Sequence, residues 1–564
     1  MRTDTKVIEN WLADDPDPAT REELAVLLAA AVGGDEAAGA EIDDRFAGTL
    51  QFGTAGLRGA MGAGPNRMNR AVVIRAAAGL TAWLTEKFGT DFTVVIGCDA
   101  RHGSAQFARD TAAVVTAAGG QALLLPPAQP TPVLAFAVRR LEAEAGVMVT
   151  ASHNPPQDNG YKVYLGGKAV DGAGRGVQIV PPYDAQIAAK IDQVASAAGV
   201  PRADGGWGEL DDSLRQEYVD RVVSLVPEGR ASHLKIVTTA MHGVGGATLL
   251  EALKRAGFTD VHPVPQQAEP DPDFPTVSFP NPEEPGALDL ALALARRLEA
   301  DLVLANDPDA DRLAVAVPAP GGYRQLTGDQ VGWLLGDQAA AYAATVGTGV
   351  LACSIVSSRM LEKIAAAHGL RHEYTLTGFK WISRVPGLAF GYEEALGYCT
   401  DPEYVRDKDG ISAAVRLALL ASQLANQGDT LSDLLDRLEL QHGVHATAPL
   451  TLRVADLEQI PQAMAALRAT PLTVLAGSKV VEFADLADGW RGLPPTDGLY
   501  FRSKAGDRVV IRPSGTEPKL KCYLESVVAL PGNAVLDDLR GAREQAAARV
   551  ERIKAELAEV LEQN

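Results

Sequence analysis

Cysteine is scarce in this chain of 564 residues: Cys98, Cys353, Cys399 and Cys522 stand far apart, with no CxxC pair and no metal-ligand spacing. That pattern argues against a zinc site and for a reducing compartment. Long apolar runs are missing as well. Nothing approaches the roughly 20 residues that span a bilayer, and the most apolar region, QALLLPPAQPTPVLAFAV (residues 121–138), is broken by four prolines. The opening MRTDTKVIENWLADDPDP is charged throughout, so a secretory leader is not expected, a membrane is not an expected partner, and a cytoplasmic location is. Cationic residues are in deficit too: 52 Lys and Arg face 72 Asp and Glu, a formal charge of −20. Nucleic acid is therefore not an expected partner, because binding its backbone rests on clustered Lys and Arg. An anionic small molecule is not excluded, since surface charge is screened over about 8 Å and a local basic pocket can prevail.

What is present reads as an ordinary soluble protein, 46% hydrophobic and 22% charged. Its length is too great for one core and predicts three or four domains. Short β-branched runs (TVVIGCDA, QALLL, AGVMVTAS, LKIVTTAM, ADLVLAND, RLAVAV, GVLACSIVS, RVVIRPS) alternate with Ala/Leu-rich stretches such as SAQFARDTAAVVTAAGG and EEPGALDLALALARRLEA. The latter are apolar at helical spacing. Strand–helix alternation predicts an α/β fold with parallel or mixed sheets, whose ligands gather at the carboxyl ends of strands. A Gly/Asp-rich segment before a new strand pattern near Leu234, a further strand–helix set from about Thr348 and a change of alternation beyond about residue 447 suggest four domains, 1–228, 229–335, 336–447 and 448–564. The first three read as variants of one α/β plan. The last, with shorter strands and a charged terminal helix, reads as a smaller α+β domain.

Four loops carry chemistry. TASHNP (residues 150–155) follows a strand and is stiffened by Pro155 and Pro156. It is either a polar turn or a site where Ser152 is held out for reaction. No GxSxG elbow surrounds Ser152. On an extended backbone His153 would point away from it, a poor nucleophile–base pair. In NDPDADRLAV (residues 306–315), Asp307, Asp309 and Asp311 alternate after an apolar strand. Either the loop is a solvated acidic turn, or three converging carboxylates share a hard cation, Mg²⁺ or Ca²⁺. An EF-hand is excluded by Arg312 and Pro318 at positions that need Gly and Glu. RPSGTEPKLK (residues 512–521) is rich in donors: Arg512, Ser514, Thr516, Lys519 and Lys521 around Gly515. It suits an anion cradle, or else a β-turn with basic flanks. In FGYEEALGY (residues 390–398) Glu393 and Glu394 can accept hydrogen bonds from sugar hydroxyls, although EEAL is also ordinary helix sequence. FGTAGLRG and HGVGG lack the strand–GxGxxG–helix context of nucleotide loops. His102 and His242 read as local hydrogen-bonding residues.

Together the four loops resemble, in order, the phosphoserine, magnesium, sugar and phosphate loops of the α-D-phosphohexomutase superfamily, which includes phosphoglucomutases, phosphomannomutases and their phosphopentomutase relatives. Further matches are FGTAGLRG (52–59), GCDARHGS (97–104), NGYK (159–162), MHGVGG (241–246) and TGFK (377–380). The resemblance spans essentially the whole chain and implies four domains around a central cleft. It implies that Ser152 carries a phosphoryl group, that one Mg²⁺ is held by Asp307, Asp309, Asp311 and an oxygen on Ser152, and that a sugar 1,6-bisphosphate (or its pentose equivalent) is intermediate and activator. Arg58, His153, Lys162 and Arg312 become candidates for proton transfer and charge. Thr377, Gly378, Lys380, Glu393 and Glu394 become candidates for the sugar, and Arg512, Ser514, Gly515, Thr516 and Lys521 for its distal phosphate. Many phosphoglucomutases carry a serine after the sugar-loop glutamates; Ala395 stands there in this chain. The expected partners are small sugar phosphates: glucose 1-phosphate and 6-phosphate first, with ribose or deoxyribose phosphates and then mannose phosphates as alternatives. A catalytically silent sugar-phosphate-binding protein is the alternative of another class, and the presence of Ser152 and all three aspartates argues against it.

Overall fold

The computed structural model describes residues 1–227, 234–453, 459–513 and 519–562. Its contacts divide the chain into two compact units, Met1–Gln325 with Gly397–Gln423, and Leu326–Leu396 with Leu424–Asn564.

The first unit opens with helices Thr5–Asp14, Pro18–Val32 and Glu36–Arg45. Each is started by an aspartate (Asp4, Asp17, Asp35) whose carboxylate accepts first-turn N–H groups. A mixed sheet follows: β1 (Leu57–Ala60), β2 (Thr93–Cys98), β3 (Gln121–Leu124), β4 (Ala145–Val149), β5 (Asp158–Leu165), β6 (Val177–Gln178) and β7 (Gly208–Glu209), ordered β1-β5-β4-β2-β3-β7 with β6 on β5. β2, β3, β4 and β7 are parallel, while β5 runs antiparallel to β4 and β1. β4 is buried along its whole length, which is why it reads as an unbroken apolar run. Val94, Ile96, Val147 and Val149 pack with Val73, Leu80 and Phe107 of the helices Arg70–Phe88 and Ser104–Ala117. The second sheet contains β8 (Ile236–Thr239), β9 (Val261–Pro263), β10 (Leu302–Asn306), β11 (Leu313–Ala319) and β12 (Gly322–Gln325), ordered β12-β11-β10-β8-β9. β10, β8 and β9 are parallel; β11 returns antiparallel beside β10, so that the loop of residues 307–312 connects neighbours. The helix expected from EEPGALDLALALARRLEA begins only at Asp289. Pro285 and Gly286, the latter at φ 84°, form a turn before it.

In the second unit the helix Gly328–Val346 starts from a Thr327/Gln330 capping box. β13 (Val350–Ser354) lies parallel between β14 (Arg371–Thr375) and β15 (Leu388–Glu393). The chain then passes back through β16 (Gly397–Cys399) of the first unit. The second unit resumes with β17 (Val444–Arg453), β18 (Val474–Leu475), β19 (Ser478–Asp485), β20 (Leu499–Ser503), β21 (Arg508–Pro513) and β22 (Lys519–Val528) in the antiparallel order β17-β22-β21-β20-β19-β18. Phe501, Val509, Ile511 and Leu524 pack with Met464 and Ile553 of the helices Gln459–Ala469 and Leu536–Glu562. Tyr500 and Val510 pack with Ile355 and Val356. Strands here were expected to be shorter; instead β17 and β22 each have 10 residues. Their burial alternates, so the apolar signal is interrupted at every second position. Among the described residues, no helix is long and apolar enough to cross a membrane.

Candidate active site

Ser152 lies three residues beyond β4 with its backbone at φ 52°. A non-glycine residue held there costs about 1–3 kcal/mol, supplied by the surrounding structure. That support is visible. The Ser152 N–H donates to Thr150 Oγ1 at 2.9 Å, and its carbonyl accepts Arg101 Nη2 at 2.7 Å. The same guanidinium donates to the carbonyls of Pro155 (2.7 Å), Asp158 (3.1 Å) and Asn154. The TASHNP loop is thus clamped from below by one buried arginine. Turned by this φ, Ser152 Oγ donates to Asp307 Oδ2 at 2.8 Å and lies 3.3 Å from His153 Nδ1. The expectation that Ser152 and His153 diverge is corrected: it assumed extended backbone, and the backbone is left-handed.

Asp307, Asp309 and Asp311 follow β10 and are all fully buried. One oxygen of each lies within 4.8 Å of the others. Two neighbours shape their loop. Asn306 Nδ2 donates to the Arg312 carbonyl at 2.7 Å, closing its ends. Residues 241–246 lie against it, with Val244 N–H donating to the Pro308 carbonyl at 2.8 Å. A Cβ on Gly243 would stand 2.3 Å from Pro308 Cα, so only glycine permits this approach. Asp309 Oδ2 accepts Thr131 Oγ1 at 2.6 Å and Lys162 Nζ at 2.7 Å. Asp311 Oδ2 accepts Lys162 Nζ at 2.8 Å and Lys408 Nζ at 2.6 Å.

The electrostatics follow from that geometry. Burial pushes Asp307 well above the usual carboxylate range, and repulsion from Asp309 and Asp311 adds to it. Burial acts the same way on Asp309, but Lys162 and Lys408 outweigh it and hold the group below the usual range. Asp311, also buried and repelled by Asp309, is lowered by the two lysines and Arg312. For Lys162 burial favours the neutral amine, yet Asp309 and Asp311 hold it above the usual lysine range. Burial, aided by Arg312 and Arg58, depresses His153 well below its usual value, so its imidazole is neutral. Arg58 Nη1 donates to Asn154 Oδ1 at 3.2 Å. Arg312 Nε lies 4.0 Å from Asp307 and 3.9 Å from Asp311. Asp309 Oδ1 and Asp311 Oδ1 are buried without a hydrogen-bond partner among the described residues. Anionic oxygens left unpaired beside one another are the donor set of a hard divalent cation, and these residues fit Mg²⁺.

In the second unit, the N–H of Gly378 donates to Glu393, and Arg512 donates to Thr377 Oγ1. Lys380 follows on the short helix Phe379–Ile382. Glu394 Oε2 accepts Ser357 Oγ at 2.8 Å and Ser354 Oγ at 3.2 Å; burial and Glu393 raise it to about 7. Residues 394–396 form a turn with Leu396 at φ 63°, which answers the helix reading of EEAL. A Cβ on Gly328 would stand 1.8 Å from the Glu394 carbonyl, so glycine also seats this turn. Arg512 and Lys521 are paired directly across β21 and β22. Ser514, Gly515 and Thr516 lie outside the described residues.

The geometry also holds residues the sequence reading passed over. Lys408 sits in an ordinary charged run, RDKDG, before the helix Gly410–Ala425. Its neighbours anchor it: Asp407 accepts Tyr164 Oη at 2.7 Å, and Asp409 accepts Tyr218 Oη at 2.8 Å. Thr131 and Arg101 act through contacts that local spacing does not reveal. His102 and His242 are hydrogen-bonded, to Asp273 and Thr276 at 2.8 Å each, but the partners lie 171 and 34 positions away, so the expectation of local bonding is corrected.

Comparison with known proteins follows the same layout. Residues 49–197, 216–321 and 327–440 match alpha/beta/alpha domains I, II and III of phosphoglucomutase/phosphomannomutase, and residues 450–529 match its C-terminal domain. A "Probable phosphomannomutase" of Haemophilus influenzae is 48% identical over 81% of this chain and 93% of its own length. Phosphopentomutase of Mus musculus is 36% identical over 95% and 93%. Phosphoglucomutase of Staphylococcus haemolyticus is 34% identical over 85% and 90%. A solved phosphoglucomutase/phosphomannomutase family protein of Burkholderia thailandensis, 21% identical, shares the fold with a TM-score of 0.67 over 89% of this chain and 97% of that one. All four domains being present in order, the chain has the four-domain α/β fold and belongs to the phosphoglucomutase/phosphomannomutase family of the α-D-phosphohexomutase superfamily, as an intramolecular phosphotransferase.

Proposed function

We propose that this protein interconverts pentose 1-phosphates and 5-phosphates, with Ser152 as the phosphoryl carrier and a pentose bisphosphate as the intermediate. The observation that carries the mutase chemistry is the 2.8 Å contact of Ser152 Oγ with Asp307 beside two carboxylates bearing unpaired oxygens. Asp307, Asp309 and Asp311 would hold Mg²⁺, which when bound supplies positive charge to the transferring phosphoryl oxygens.

The remaining work falls to the chain. In one half-reaction the P–O bond at Ser152 breaks, a P–O bond to the sugar hydroxyl forms, the hydroxyl proton passes to a base, and Ser152 Oγ takes up a proton. In the other, Ser152 Oγ gives up its proton and attacks the second phosphoryl group of the reoriented bisphosphate, the P–O bond to the sugar breaks, and the released sugar oxygen takes up a proton. Two acceptors flank Ser152 Oγ, Asp307 Oδ2 at 2.8 Å and neutral His153 Nδ1 at 3.3 Å. Lys162, donating to Asp309 and Asp311, brings positive charge to the carboxylates. Arg58 and Arg312 add cationic charge for phosphoryl oxygens. Arg512 and Lys521, opposite one another across two strands, suit the distal phosphate.

Substrate choice rests on the sugar loop. Of its two carboxylates Glu394 is already engaged by two serines, and the Ala395 side chain offers no hydrogen-bonding group. Fewer partners favour a sugar with fewer hydroxyls, in line with the mouse phosphopentomutase similar to nearly the whole chain. The relatives support this and the mannose alternative better than the glucose preference drawn from the motifs. Mannose phosphates are the second reading, favoured by the 48% identical Haemophilus protein. Parallel measurement of kcat/KM on ribose, deoxyribose, mannose and glucose 1-phosphates decides. A pentose value at least about tenfold above both hexoses is expected, each tenfold being about 1.4 kcal/mol; a hexose in first place contradicts the reading.

A further inference from the structure

A pocket of about 170 Å³ in the second unit gathers four arginines, Arg359, Arg491, Arg502 and Arg508, with Trp490 and Tyr500. In a chain with 20 more acidic than basic residues, such a cluster is unusual. Its acidic compensation is shared. Glu525 accepts Arg359 Nε at 2.6 Å and lies 3.5 Å from Arg508. Glu482 accepts Arg491 Nη2 and Arg502 Nε, both at 2.8 Å.

Arg508 is spent on structure, donating to the carbonyls of Ile355, Val356 and Ser357 at 2.8–3.1 Å. Arg359, Arg491 and Arg502 differ: each keeps a terminal nitrogen that bonds to nothing among the described residues. Arg491 is also held over the Trp490 ring at 4.5 Å, and Trp490 packs on Tyr500 at 4.5 Å. The guanidinium is thereby set in place before any ligand arrives, which lowers the entropic cost of binding. Glu362, accepting Tyr374 Oη at 3.0 Å, lines the same pocket and can accept from hydroxyls.

We infer that this pocket binds a compact phosphorylated polyol, its phosphoryl group on Arg359, Arg491 and Arg502 and its hydroxyls toward Glu362 and Tyr374. Guanidinium forks match phosphate oxygens, and Glu362 beside them can accept from hydroxyls. The site is separate from Arg512: Arg508 and Arg512 stand four residues apart on β21, about 13 Å at strand spacing. It is nonetheless connected to it. β21 carries Arg508 at one end and Arg512 at the other, and β14 runs from the pocket at Tyr374 toward Thr377, the partner of Arg512. An occupant would tie β14 to β20 and β21 and so bias the placement of Arg512, which makes the pocket regulatory.

Calorimetric titration of the full chain with inorganic phosphate, and separately with ribose 5-phosphate, tests this without relying on turnover or on the sugar assignment. Wild type is expected to show two classes of site. Arg491→Ala/Arg502→Ala loses one class, by at least about tenfold in affinity, while kcat/KM without added effector stays unchanged. Arg512→Ala loses the other class. Both substituted arginines are surface-accessible, with side chains 58% and 37% exposed, so the double variant should fold. Glu482→Gln, which removes the competing carboxylate, should tighten the first class several-fold. Phosphate binding that is unaltered in the double variant and in Glu482→Gln, or wholly abolished by Arg512→Ala, overturns the inference.

Discussion

Ser152 and Asp307 lie 155 positions apart in sequence, and the serine hydroxyl donates to the aspartate carboxylate at 2.8 Å. The contact joins the loop after β4 to the loop after β10, so each sheet of the first unit contributes one partner of the hydrogen bond. Each partner carries an unfavourable local condition. Ser152 is held at a left-handed φ, and Asp307 is a buried carboxylate beside two others. Both conditions are compensated by neighbours whose removal gives measurable consequences.

Arg101 is the first such neighbour. It touches no reacting atom but donates to four carbonyls of the serine loop, so its role is positioning. Arg101→Lys replaces a fork by a point donor and should lower kcat about 10–100-fold with little change in KM, because a displacement of about 1 Å is that costly. Steady-state kinetics would show it; a rise in KM at unchanged kcat would mean that Arg101 serves binding instead.

Lys408 is the second. Lys408→Met leaves Asp311 with Lys162 as its remaining lysine partner and should cost about 1–3 kcal/mol of stability, the range for a hydrogen bond to a charged group. Mg²⁺ should restore part of that loss, as a cation takes the place of the missing ammonium. Urea midpoints with and without Mg²⁺ read both effects, and equal midpoints in the two proteins without Mg²⁺ would refute the first.

Asp409 gives a pH signature. Burial raises it to about 6, and its Oδ2 has no hydrogen-bond partner among the described residues. Above its unfolded value near 3.8 the unfolded chain releases the proton while the folded chain keeps it, so stability falls as pH rises from about 4 to 6 and then levels. Asp409→Asn retains the cap on the Ile411 and Ser412 N–H groups and removes this slope. The variant should gain on the order of 1–3 kcal/mol relative to wild type between pH 4 and pH 7. Parallel pH profiles for the two proteins would contradict the assignment.

Gly243 tests the packing behind the aspartates. Gly243→Ala places a methyl 2.3 Å from Pro308 Cα, which must shift the aspartate loop. A destabilisation of about 1–3 kcal/mol is expected, with a weakened dependence on Mg²⁺. Unchanged melting and unchanged Mg²⁺ titration would show the loop to be tolerant.

Much of this was legible in the residues. β4 and β10 are buried on both faces and read as continuous apolar runs, and the loops after them were conspicuous because three alternating aspartates need a cation. The C-terminal strands were harder, since one-sided burial leaves apolar residues only at alternate positions. Lys408, Thr131 and Arg101 escaped because their chemistry lies in long-range contacts: Lys408 meets Asp311 across 97 positions. The His153 geometry was misjudged for a local reason. Its relation to Ser152 depends on one backbone angle, and a left-handed serine is not announced by its neighbours.

Phosphorylation of Ser152 is the central claim, and intact-protein mass reads it directly. The full chain, treated with phosphatase, cleared of it, and then incubated with Mg²⁺ and a sugar bisphosphate, should gain the mass of one phosphoryl group, mapped to Ser152 by peptide analysis. Ser152→Ala should gain none and lose at least about 1,000-fold in mutase turnover. A wild-type chain that turns over sugar phosphate without ever carrying phosphate, or a Ser152→Ala variant as active as wild type, would contradict the account.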